Sequence, residues 1–264
     1  MKISSVHNKK ILALRRLYKS KERKASNVFI AEGVKEVKRG FDSGFKPVAV
    51  YFSPDIFKGD IGTLLSGLDE ETAVFELTEA VYRKVAYRDN TEGLLVLFEK
   101  KYYSLQDINI DDNSTFIVLE SVEKPGNLGA VLRTAGAAGV DAVILTETKV
   151  DQYHPNVIRA SIGAVFKIPV IVTNNTALLE WLKENNIKSY AAALPAYKDI
   201  YQADLKQKLA LIFGTEADGL GDFWLENADC LITIPMTDMV DSLNVSVSVA
   251  VAVYETVRQK TQIS

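Results

Sequence analysis

The sequence PGNLGAVLR occupies residues 125–133, a few residues after the apolar run TFIVL at 115–119. The apolar run predicts a buried strand, and the small residues that continue to Gly139 predict a helix. Asn127 stands where a helix N-cap is expected, just after a Pro-Gly pair that favours a turn. Because open α/β sheets bind ligands beyond the carboxyl ends of their strands, this strand-to-helix connection is a candidate site.

Arg133 is the only charged residue between Lys124 and Asp141. A lone cation is costly to bury in an apolar helix unless it is paired or used in binding. We therefore expect this connection to handle an anionic group. The glycines beside it, Gly126 and Gly129, are also consistent with a purely structural turn and with helix packing.

The composition is that of an ordinary globular protein, with 264 residues, 47% hydrophobic residues and a net charge of −3. Cys230 is the single cysteine, and the two histidines, His7 and His154, lie far apart. Neither a disulfide framework nor a metal site is therefore expected. No apolar run approaches the roughly 18 residues that span a bilayer, and the first residues lack the apolar segment of a secretory signal. These features predict a cytoplasmic protein that uses no metal.

Basic residues are concentrated at one end of the chain. Residues 1–46 contain thirteen Lys and Arg residues against four Asp and Glu residues, a net charge of +9, so the remainder carries −12. Such asymmetry favours contact between the basic part and a polyanion. Apolar residues near helical spacing, such as Ile11, Leu14 and Tyr18, predict a basic amphipathic helix within residues 5–20. A merely solvated helix face is the alternative for these charges.

Two regions with α/β patterning are predicted, residues 1–100 and 115–264, joined by a polar linker at 101–114. The first contains predicted strands at 28–30, 48–52, 72–75 and 93–98, helices at 34–41 and 78–86, and a polar loop at 19–24. The second alternates strands at 115–119, 142–145, 169–172, 189–193, 209–213 and 231–234 with helices at 127–138, 155–161 and 175–185. This alternation predicts a mostly parallel sheet covered on both faces.

The last long element is ambiguous by its pattern. Valines alternate with Ser and Ala over residues 245–253, which is typical of a strand. The segment then continues without a breaker to about residue 261, which is long for a strand and suits a tightly packed helix. The pattern alone leaves both structures open.

Two further connections repeat the strand-to-loop pattern of the first. LIFGTEADGLG at 211–221 is an apolar strand followed by a Gly-rich loop, and LITIPM at 231–236 leads through a polar loop to DSLNVS at 241–246. None of the loops has the spacing of a P-loop, a dinucleotide-binding fingerprint or a nucleophile elbow. Each loop alone is as consistent with a structural turn as with a site.

Together, in this order and spacing, the three motifs resemble the SpoU/TrmH family of SPOUT RNA 2′-O-methyltransferases over about residues 115–258. The matching residues are Asn127, Gly129, Ala130 and Arg133; Gly214, Glu216, Gly219 and Leu220; and Ile234, Pro235, Met236, Ser242, Leu243, Asn244, Val245 and Ser246, with SIGA at 161–164. The basic helix and FIAEG at 29–33 resemble the ribosomal-protein-like substrate-binding domain often fused to these enzymes. Glu120 and Lys124 stand where the family often has Asp, and Thr215 where Asn or Ala is more usual.

The resemblance implies an α/β fold with a trefoil-knotted, parallel-sheet SPOUT domain at 115–264 and a smaller N-terminal α/β domain that binds the RNA substrate. It implies that residues 245–258 form a helix and that two copies dimerise through the knotted domain. It also implies S-adenosylmethionine as cofactor, with these residues as candidates to bind it: Gly214, Glu216, Gly219, Ile234, Met236, Leu243 and Leu194, the last followed by Pro195.

The implied reaction is attack of a ribose 2′-OH on the sulfonium methyl group, with the catalytic candidates Arg133, Asn127, Glu216, Ser242 and Asn244. Such a step requires alignment and a proton acceptor. Since a guanidinium keeps its proton, Arg133 is expected to hold the adjacent phosphate rather than act as a base, with Glu216 orienting it. Asn127, Ser242 and Asn244 are expected to position the ribose and the loops, although Ser242 also suits a helix N-cap.

Three alternatives remain open at this point. The first is a non-catalytic RNA-binding protein with the same fold. The second is a nucleotide-binding metabolic enzyme, which leaves the basic N-terminal region unexplained. For the RNA itself, rRNA is preferred because the N-terminal domain type recurs in rRNA-modifying relatives, and tRNA is the alternative.

Overall fold

The structure is a computed structural model that describes residues 1–69, 71–194, 196, 198–215 and 218–261. Its contacts divide the chain into two compact units, Met1–Lys101 with Tyr153–Lys167, and Tyr102–Gln152 with Ile168–Ser264. Both units are mixtures of helices and strands. In the described ranges no helix combines the length and the apolar character needed to cross a membrane.

The first unit contains a five-stranded mixed sheet. Its strands are β1 (Lys2–Ile3), β2 (Val28–Glu32), β3 (Pro47–Phe52), β4 (Ala73–Leu77) and β5 (Leu94–Glu99). Their order across the sheet is β1-β4-β3-β5-β2. The strands β1, β4 and β3 run parallel, whereas β5 pairs antiparallel with both β3 and β2.

The second unit contains a seven-stranded sheet in the order β10-β12-β9-β11-β6-β7-β8, and every pairing in it is parallel. Its strands are β6 (Thr115–Glu120), β7 (Ala142–Thr146), β8 (Val170–Thr173), β9 (Lys188–Ala192), β10 (Lys198–Asp199), β11 (Leu209–Phe213) and β12 (Cys230–Thr233). This sheet confirms the parallel α/β architecture predicted from the alternation of apolar segments.

The helices of both units are, in chain order, α1 (Lys9–Leu17), α2 (Ser20–Ala25), α3 (Val34–Asp42), α4 (Ile61–Leu65), α5 (Glu79–Val85), α6 (Pro125–Ala138), α7 (Pro155–Ala160), α8 (Asn175–Glu184), α9 (Asp222–Asn227) and α10 (Val245–Thr261). Short 3₁₀ helices lie at Leu105–Asp107, Ala164–Phe166 and Ile200–Gln202. The first of these falls within the predicted linker at 101–114, most of which is part of the second unit.

The predicted polar loop at 19–24 is wrong, because Ser20–Ala25 forms α2. Lys, Glu, Arg and Ala all have good helix propensity, so a charged segment is not necessarily a loop. Arg23 is buried and donates hydrogen bonds to the carbonyl oxygens of Leu17 and Tyr18, both at 3.1 Å. A single inward-facing arginine therefore satisfies carbonyl groups at the end of α1.

Residues 153–167 pack into the first unit, although their position in the sequence assigns them to the predicted second domain. The ring of Tyr153 stacks on Phe29 with centroids 4.2 Å apart, and Phe166 contacts Phe45 edge-on at 5.1 Å. The Tyr153 hydroxyl also accepts a hydrogen bond from the Lys101 backbone N–H at 3.0 Å. The aromatic core of the first unit is thus completed by a segment that lies between β7 and β8 in the chain.

The ambiguous C-terminal segment is the helix α10, as the family resemblance implied. Its buried positions include Val249, Ala252 and Val253. It packs against α6, whose buried residues include Gly129. Each helix buries a small residue, Gly129 on α6 and Ala252 on α10. The threading of this segment through a knot stays a prediction.

Candidate active site

The second unit contains an open cavity of about 450 Å³ beyond the carboxyl ends of β9, β11 and β12. This volume lies within the range of roughly 300–1,000 Å³ that is typical of small-molecule sites. Of the predicted cofactor-binding residues, six line it: Leu194, Gly214, Gly219, Ile234, Met236 and Leu243. Two others, Glu216 and Pro195, lie outside the described residues. The second and third sequence motifs therefore converge on one cavity.

The Gly-rich loop that follows β11 closes on itself through paired backbone hydrogen bonds. The Thr215 N–H donates to the Gly219 carbonyl at 2.9 Å, and the Gly219 N–H donates to the Thr215 carbonyl at 3.1 Å. The Thr215 hydroxyl accepts a hydrogen bond from the Asp218 N–H at 3.0 Å. Thr215, which stands where Asn or Ala is more usual, thus has a local structural role. A Cβ atom at position 214 would lie 1.9 Å from the Gly219 carbonyl oxygen, so only glycine fits there.

Glu120 holds the outgoing end of the same loop. This glutamate is the last residue of β6 and is only 5% exposed. Its Oε2 accepts a hydrogen bond from the Gly221 N–H at 2.7 Å, and its Oε1 accepts from Nδ2 of Asn175 at 2.7 Å. The Asn175 side-chain oxygen accepts in turn from Nε1 of Trp224 at 2.9 Å. The start of α8 and the start of α9 are thereby both joined to the end of β6.

Asn244 caps α10. Its Oδ1 accepts from the Ser246 N–H at 3.0 Å and from the Ser246 hydroxyl at 2.6 Å, and its carbonyl accepts from the Val247 and Ser248 N–H groups. Ser242, the alternative N-cap in the sequence prediction, is instead an exposed residue that lines the cavity. One asparagine therefore fixes both the start of α10 and the end of the loop before it.

The first and third motifs meet at a direct contact, since Nδ2 of Asn244 donates to Oδ1 of Asn127 at 3.3 Å. The prediction that Asn127 is the N-cap of α6 is wrong. Lys124 is the N-cap residue and Pro125 opens the helix, which places Asn127 within the first turn. From there its side-chain oxygen accepts the hydrogen bond from Asn244 in the third motif.

Arg133 lies on an exposed position of α6. The cost of burying a lone cation, which the sequence raised, does not arise, because α6 buries apolar residues and leaves Arg133 exposed. An exposed cation can meet an incoming anion without prior desolvation. The expected support from Glu216 lies outside the described residues and stays a prediction.

Charge at the cavity differs from that of a phosphate-binding site. Asp218 and Asp241 are the charged side chains among the described residues that line it, and no Lys, Arg or His belongs to that set. Apolar side chains such as Phe213, Leu220 and Ile232 form much of the remaining wall. This lining suits a neutral or cationic ligand with a flat apolar part better than a ligand carrying phosphates.

Backbone groups are also available at the cavity. The N–H and C=O groups of Met236 and Leu243 form no backbone hydrogen bonds with any other described residue. Main-chain donors and acceptors at such positions recognise the edges of heterocyclic ligands. The loop between β12 and α10 can therefore bind a ligand through its backbone.

A second candidate surface lies on the first unit. Exposed cations on α1, on α2 and between them form what we call the basic face: Lys9, Lys10, Arg15, Arg16, Lys19, Lys21 and Lys24. Glu22 is the acidic residue among them, and no ion pair joins it to these cations in the described part of the chain. The helix α1 buries Ile11 and Leu14 on its other side. The predicted basic amphipathic helix is therefore confirmed.

Sequence reasoning missed Asn175, Trp224 and the carboxylates Asp218 and Asp241. Glu120 was noticed only as a departure from a family pattern. A buried polar side chain at the carboxyl end of a strand was the available signal for Glu120, and no sequence signal pointed to its partners, which come from distant segments.

The fold and the cavity define an α/β domain that binds a small ligand, joined to a basic α/β unit. Residues 114–254 match the SpoU rRNA Methylase family, and residues 8–96 match the MRM3-like substrate binding domain. The chain belongs to the SpoU rRNA methylase family, which confirms the family predicted from the three motifs.

Two relatives illustrate the similarity. The chain is 29% identical over 255 residues to the 23S rRNA (guanosine(2553)-2′-O)-methyltransferase RlmP of Bacillus subtilis, covering 96% of this chain and 97% of RlmP. It is 35% identical over 195 residues to the 23S rRNA (guanosine-2′-O-)-methyltransferase RlmB of Vibrio parahaemolyticus, covering 71% and 78% of the two chains.

Two crystal structures resemble the whole chain. One, of an RNA 2′-O ribose methyltransferase, has a TM-score of 0.86 at 35% identity and covers 99% of this chain and 100% of its own. The other, of an AdoMet-bound rRNA methyltransferase from Sinorhizobium meliloti, has a TM-score of 0.87 at 30% identity and covers 98% and 97%. The predicted two-part α/β fold is confirmed by these matches.

Proposed function

We propose that this protein transfers a methyl group from S-adenosylmethionine to a ribose 2′-hydroxyl of rRNA. The observation that carries the proposal is the convergence of the three motifs. Two of them line one cavity, and the first contacts the third through Asn127 and Asn244. Membership of the SpoU rRNA methylase family supports the reaction, and the names of the relatives support rRNA as the substrate.

The residues of the cavity fit the cofactor. S-adenosylmethionine supplies an electrophilic methyl group on a positively charged sulfonium. The carboxylates of Asp218 and Asp241 complement a cation, and the apolar wall suits an adenine ring. The backbone groups of Met236 and Leu243, which form no backbone hydrogen bonds with other described residues, supply donors and acceptors, and the glycine at 214 lets main chain approach the ligand. We assign Gly219, Ile234 and Leu194 to the same site.

On the substrate side we assign distinct tasks to the remaining residues. Arg133, exposed on α6, holds the phosphate beside the reacting ribose, and this lowers the pKa of the 2′-hydroxyl by stabilising negative charge. Asn127 and Asn244 fix the geometry between α6 and the loop before α10. Ser242 lies at the cavity, where its hydroxyl can contact the ribose. Glu216 is retained as the residue that orients Arg133.

The basic face on α1 and α2 is proposed to bind the RNA backbone. Its cations lie on a unit that matches a substrate-binding domain, and RNA binding through phosphates is expected to weaken steeply with salt. This face is the feature that a nucleotide-binding metabolic enzyme leaves unexplained. The cytoplasm remains the predicted location.

We further propose a homodimer formed through the second unit. The helix α10 carries Val247 and Tyr254, which are 47% and 51% exposed, with the partly buried Val251 between them. Their i, i+4, i+7 spacing makes a continuous apolar stripe on one helix face. Such a stripe is typical of a helix that packs against a partner.

Two measurements test the proposed function. Calorimetry with S-adenosylmethionine is expected to show binding, and the absence of binding at millimolar cofactor would favour a non-catalytic RNA-binding protein. Mapping of 2′-O-methyl groups in cells with and without the protein is expected to show the loss of an rRNA methyl group. Loss of a tRNA methyl group instead would support the alternative substrate, and no loss from either RNA would refute the reaction.

A further inference from the structure

We infer that Glu120 is a positioning residue that holds residues 219–221 of the Gly-rich loop in place as a wall of the cofactor cavity, acting through Gly221 and Asn175. The inference rests on the proposed function, since it concerns the binding of S-adenosylmethionine. Glu120 does not line the cavity itself, so its effect on binding must be transmitted through the loop.

The contacts of Glu120 account for its burial. A buried carboxylate is costly unless both oxygens are hydrogen-bonded. Here each oxygen has its own donor at 2.7 Å, the Gly221 N–H for Oε2 and Nδ2 of Asn175 for Oε1. Charge-assisted hydrogen bonds of this length are among the stronger ones in proteins. The charge therefore increases the strength with which the end of β6 holds the loop.

The direction of the hydrogen bonds requires an acceptor at both oxygens. Trp224 is fully buried, and an indole N–H can only donate, so the oxygen of Asn175 faces Trp224 and its nitrogen faces Glu120. A backbone N–H can likewise only donate. Both partners of residue 120 are therefore donors, and an ionised carboxylate satisfies both.

The loop transmits this restraint to the cavity. Gly219 and Leu220 line the cavity and Gly221 follows them directly. The bridge between Thr215 and Gly219 makes the first part of the loop a closed unit. That unit is held at its start by the pairing of β11 with its neighbours and at its end by Glu120. Without the second anchor, the wall formed by residues 219 and 220 is free to shift.

The substitution Glu120→Gln tests this network with almost no change in shape. The amide nitrogen of the new side chain must face either the Gly221 N–H or the nitrogen of Asn175, which places two donors together. If Asn175 rotates to present its oxygen, its nitrogen then faces the indole N–H of Trp224 instead. One mismatch remains in every arrangement, and a buried donor without an acceptor is destabilising.

The second substitution Trp224→Phe removes the indole N–H and so permits Asn175 to rotate. In that background, Gln at position 120 can donate to Asn175 and accept from Gly221 at the same time. Glu120→Gln is therefore expected to weaken cofactor binding less in the Trp224→Phe background than in the wild-type background. A residue that contributed only general stability would show no such specific recovery.

The experiment measures the Kd of the full chain for S-adenosylmethionine by calorimetry, together with the thermal midpoint and retention on RNA. The matched control is Glu123→Gln, since Glu123 forms an exposed ion pair with Lys149 at 3.0 Å. We expect Glu120→Gln to weaken binding about 10-fold relative to this control, with RNA retention unchanged. In the Trp224→Phe background we expect the same change to cost less than about threefold.

Two results would overturn the inference: cofactor binding by Glu120→Gln equal to that of Glu123→Gln, or an equal loss in both the wild-type and Trp224→Phe backgrounds. If the wild-type protein itself binds no cofactor, the proposed function fails and the inference with it. Wild-type binding with an unaffected Glu120→Gln variant overturns the inference alone, so the two failures are distinguishable.

Discussion

Gly214→Ala is the substitution whose effect follows most directly from the geometry of the cavity. The added Cβ would lie 1.9 Å from the carbonyl oxygen of Gly219 and 2.4 Å from the backbone nitrogen of Leu220. Neither neighbour is a flexible side chain that can move aside. The loop must therefore open at the bridge between Thr215 and Gly219, and its opening shifts the part of the cavity wall formed by residues 219 and 220.

The size of the effect can be worked out from the hydrogen bonds that hold the loop closed. Opening the bridge breaks two backbone hydrogen bonds, at 2.9 and 3.1 Å. Each contributes about 1 kcal/mol net, so roughly 2 kcal/mol of restraint on the wall is removed. If the bound state requires the closed loop, this corresponds to about a 30-fold increase in the Kd for S-adenosylmethionine.

The assay is calorimetric titration of folded variants with S-adenosylmethionine, and Gly126→Ala is the matched control. Nothing lies within 4 Å of a Cβ at position 126, so that variant is expected to bind the cofactor as the wild type does. Gly214→Ala binding with a Kd within about twofold of that of Gly126→Ala would refute the reasoning that the closed loop forms the cavity wall.

Three further predictions concern other parts of the molecule. Burial raises the pKa of Glu32 above its ordinary value of 4.5, so the wild type should lose stability relative to Glu32→Gln as the pH rises from below 4.5 through the raised value. Denaturant unfolding at several pH values measures this difference, and a pH-independent difference would contradict it. Replacing Arg15 and Arg16 on the basic face by Ala should reduce the salt slope of RNA binding by about one unit for each phosphate that the variant no longer neutralises, and an unchanged slope would exclude that face. Val247→Glu places a charge in the apolar stripe of α10 and should give monomers by light scattering, whereas an intact dimer would place the interface elsewhere.

Most strands of the second unit were predictable because a fully buried parallel strand is a continuous apolar run. Leu209–Phe213 and Thr115–Glu120 illustrate this, since every residue in both is buried. The short elements were missed because their sequences are too brief to show a period. Lys198–Asp199 and Ile61–Leu65 are examples. The C-terminal helix was ambiguous by its pattern because its valines alternate, and the resemblance to the family, not the pattern, predicted the helix.

The site was predictable to the extent that its residues belong to contiguous motifs. The glycine at 214, the backbone of Met236 and the asparagine at 244 all lie within the motifs, and the structure brings their loops together. The contact between Glu120 and Asn175 was not predictable, because the two residues are distant in sequence and no motif includes Asn175. The exposure of Arg133 was not predictable either, because a single cation among apolar residues does not show which side of a helix faces solvent.

The assignment of residues 153–167 to the first unit shows a different limit. Tyr153 and Phe166 are apolar residues in an α/β pattern, and nothing in that pattern shows which core they enter. When a chain leaves one compact unit and later returns to it, the returning segment can be assigned to that unit only from long-range contacts. Sequence periodicity reports only local structure, so a boundary drawn from it follows the order of the chain.

The most direct test of the central claim is methyl transfer by the purified protein. Full-length protein would be incubated with methyl-labelled S-adenosylmethionine and rRNA from cells that lack it, and the RNA digested to nucleosides for mass spectrometry. We predict one labelled 2′-O-methylnucleoside, with its formation strongly reduced by Arg133→Ala while cofactor binding is unchanged. Label on a base, no label in the RNA, or full activity of Arg133→Ala would contradict this mechanism.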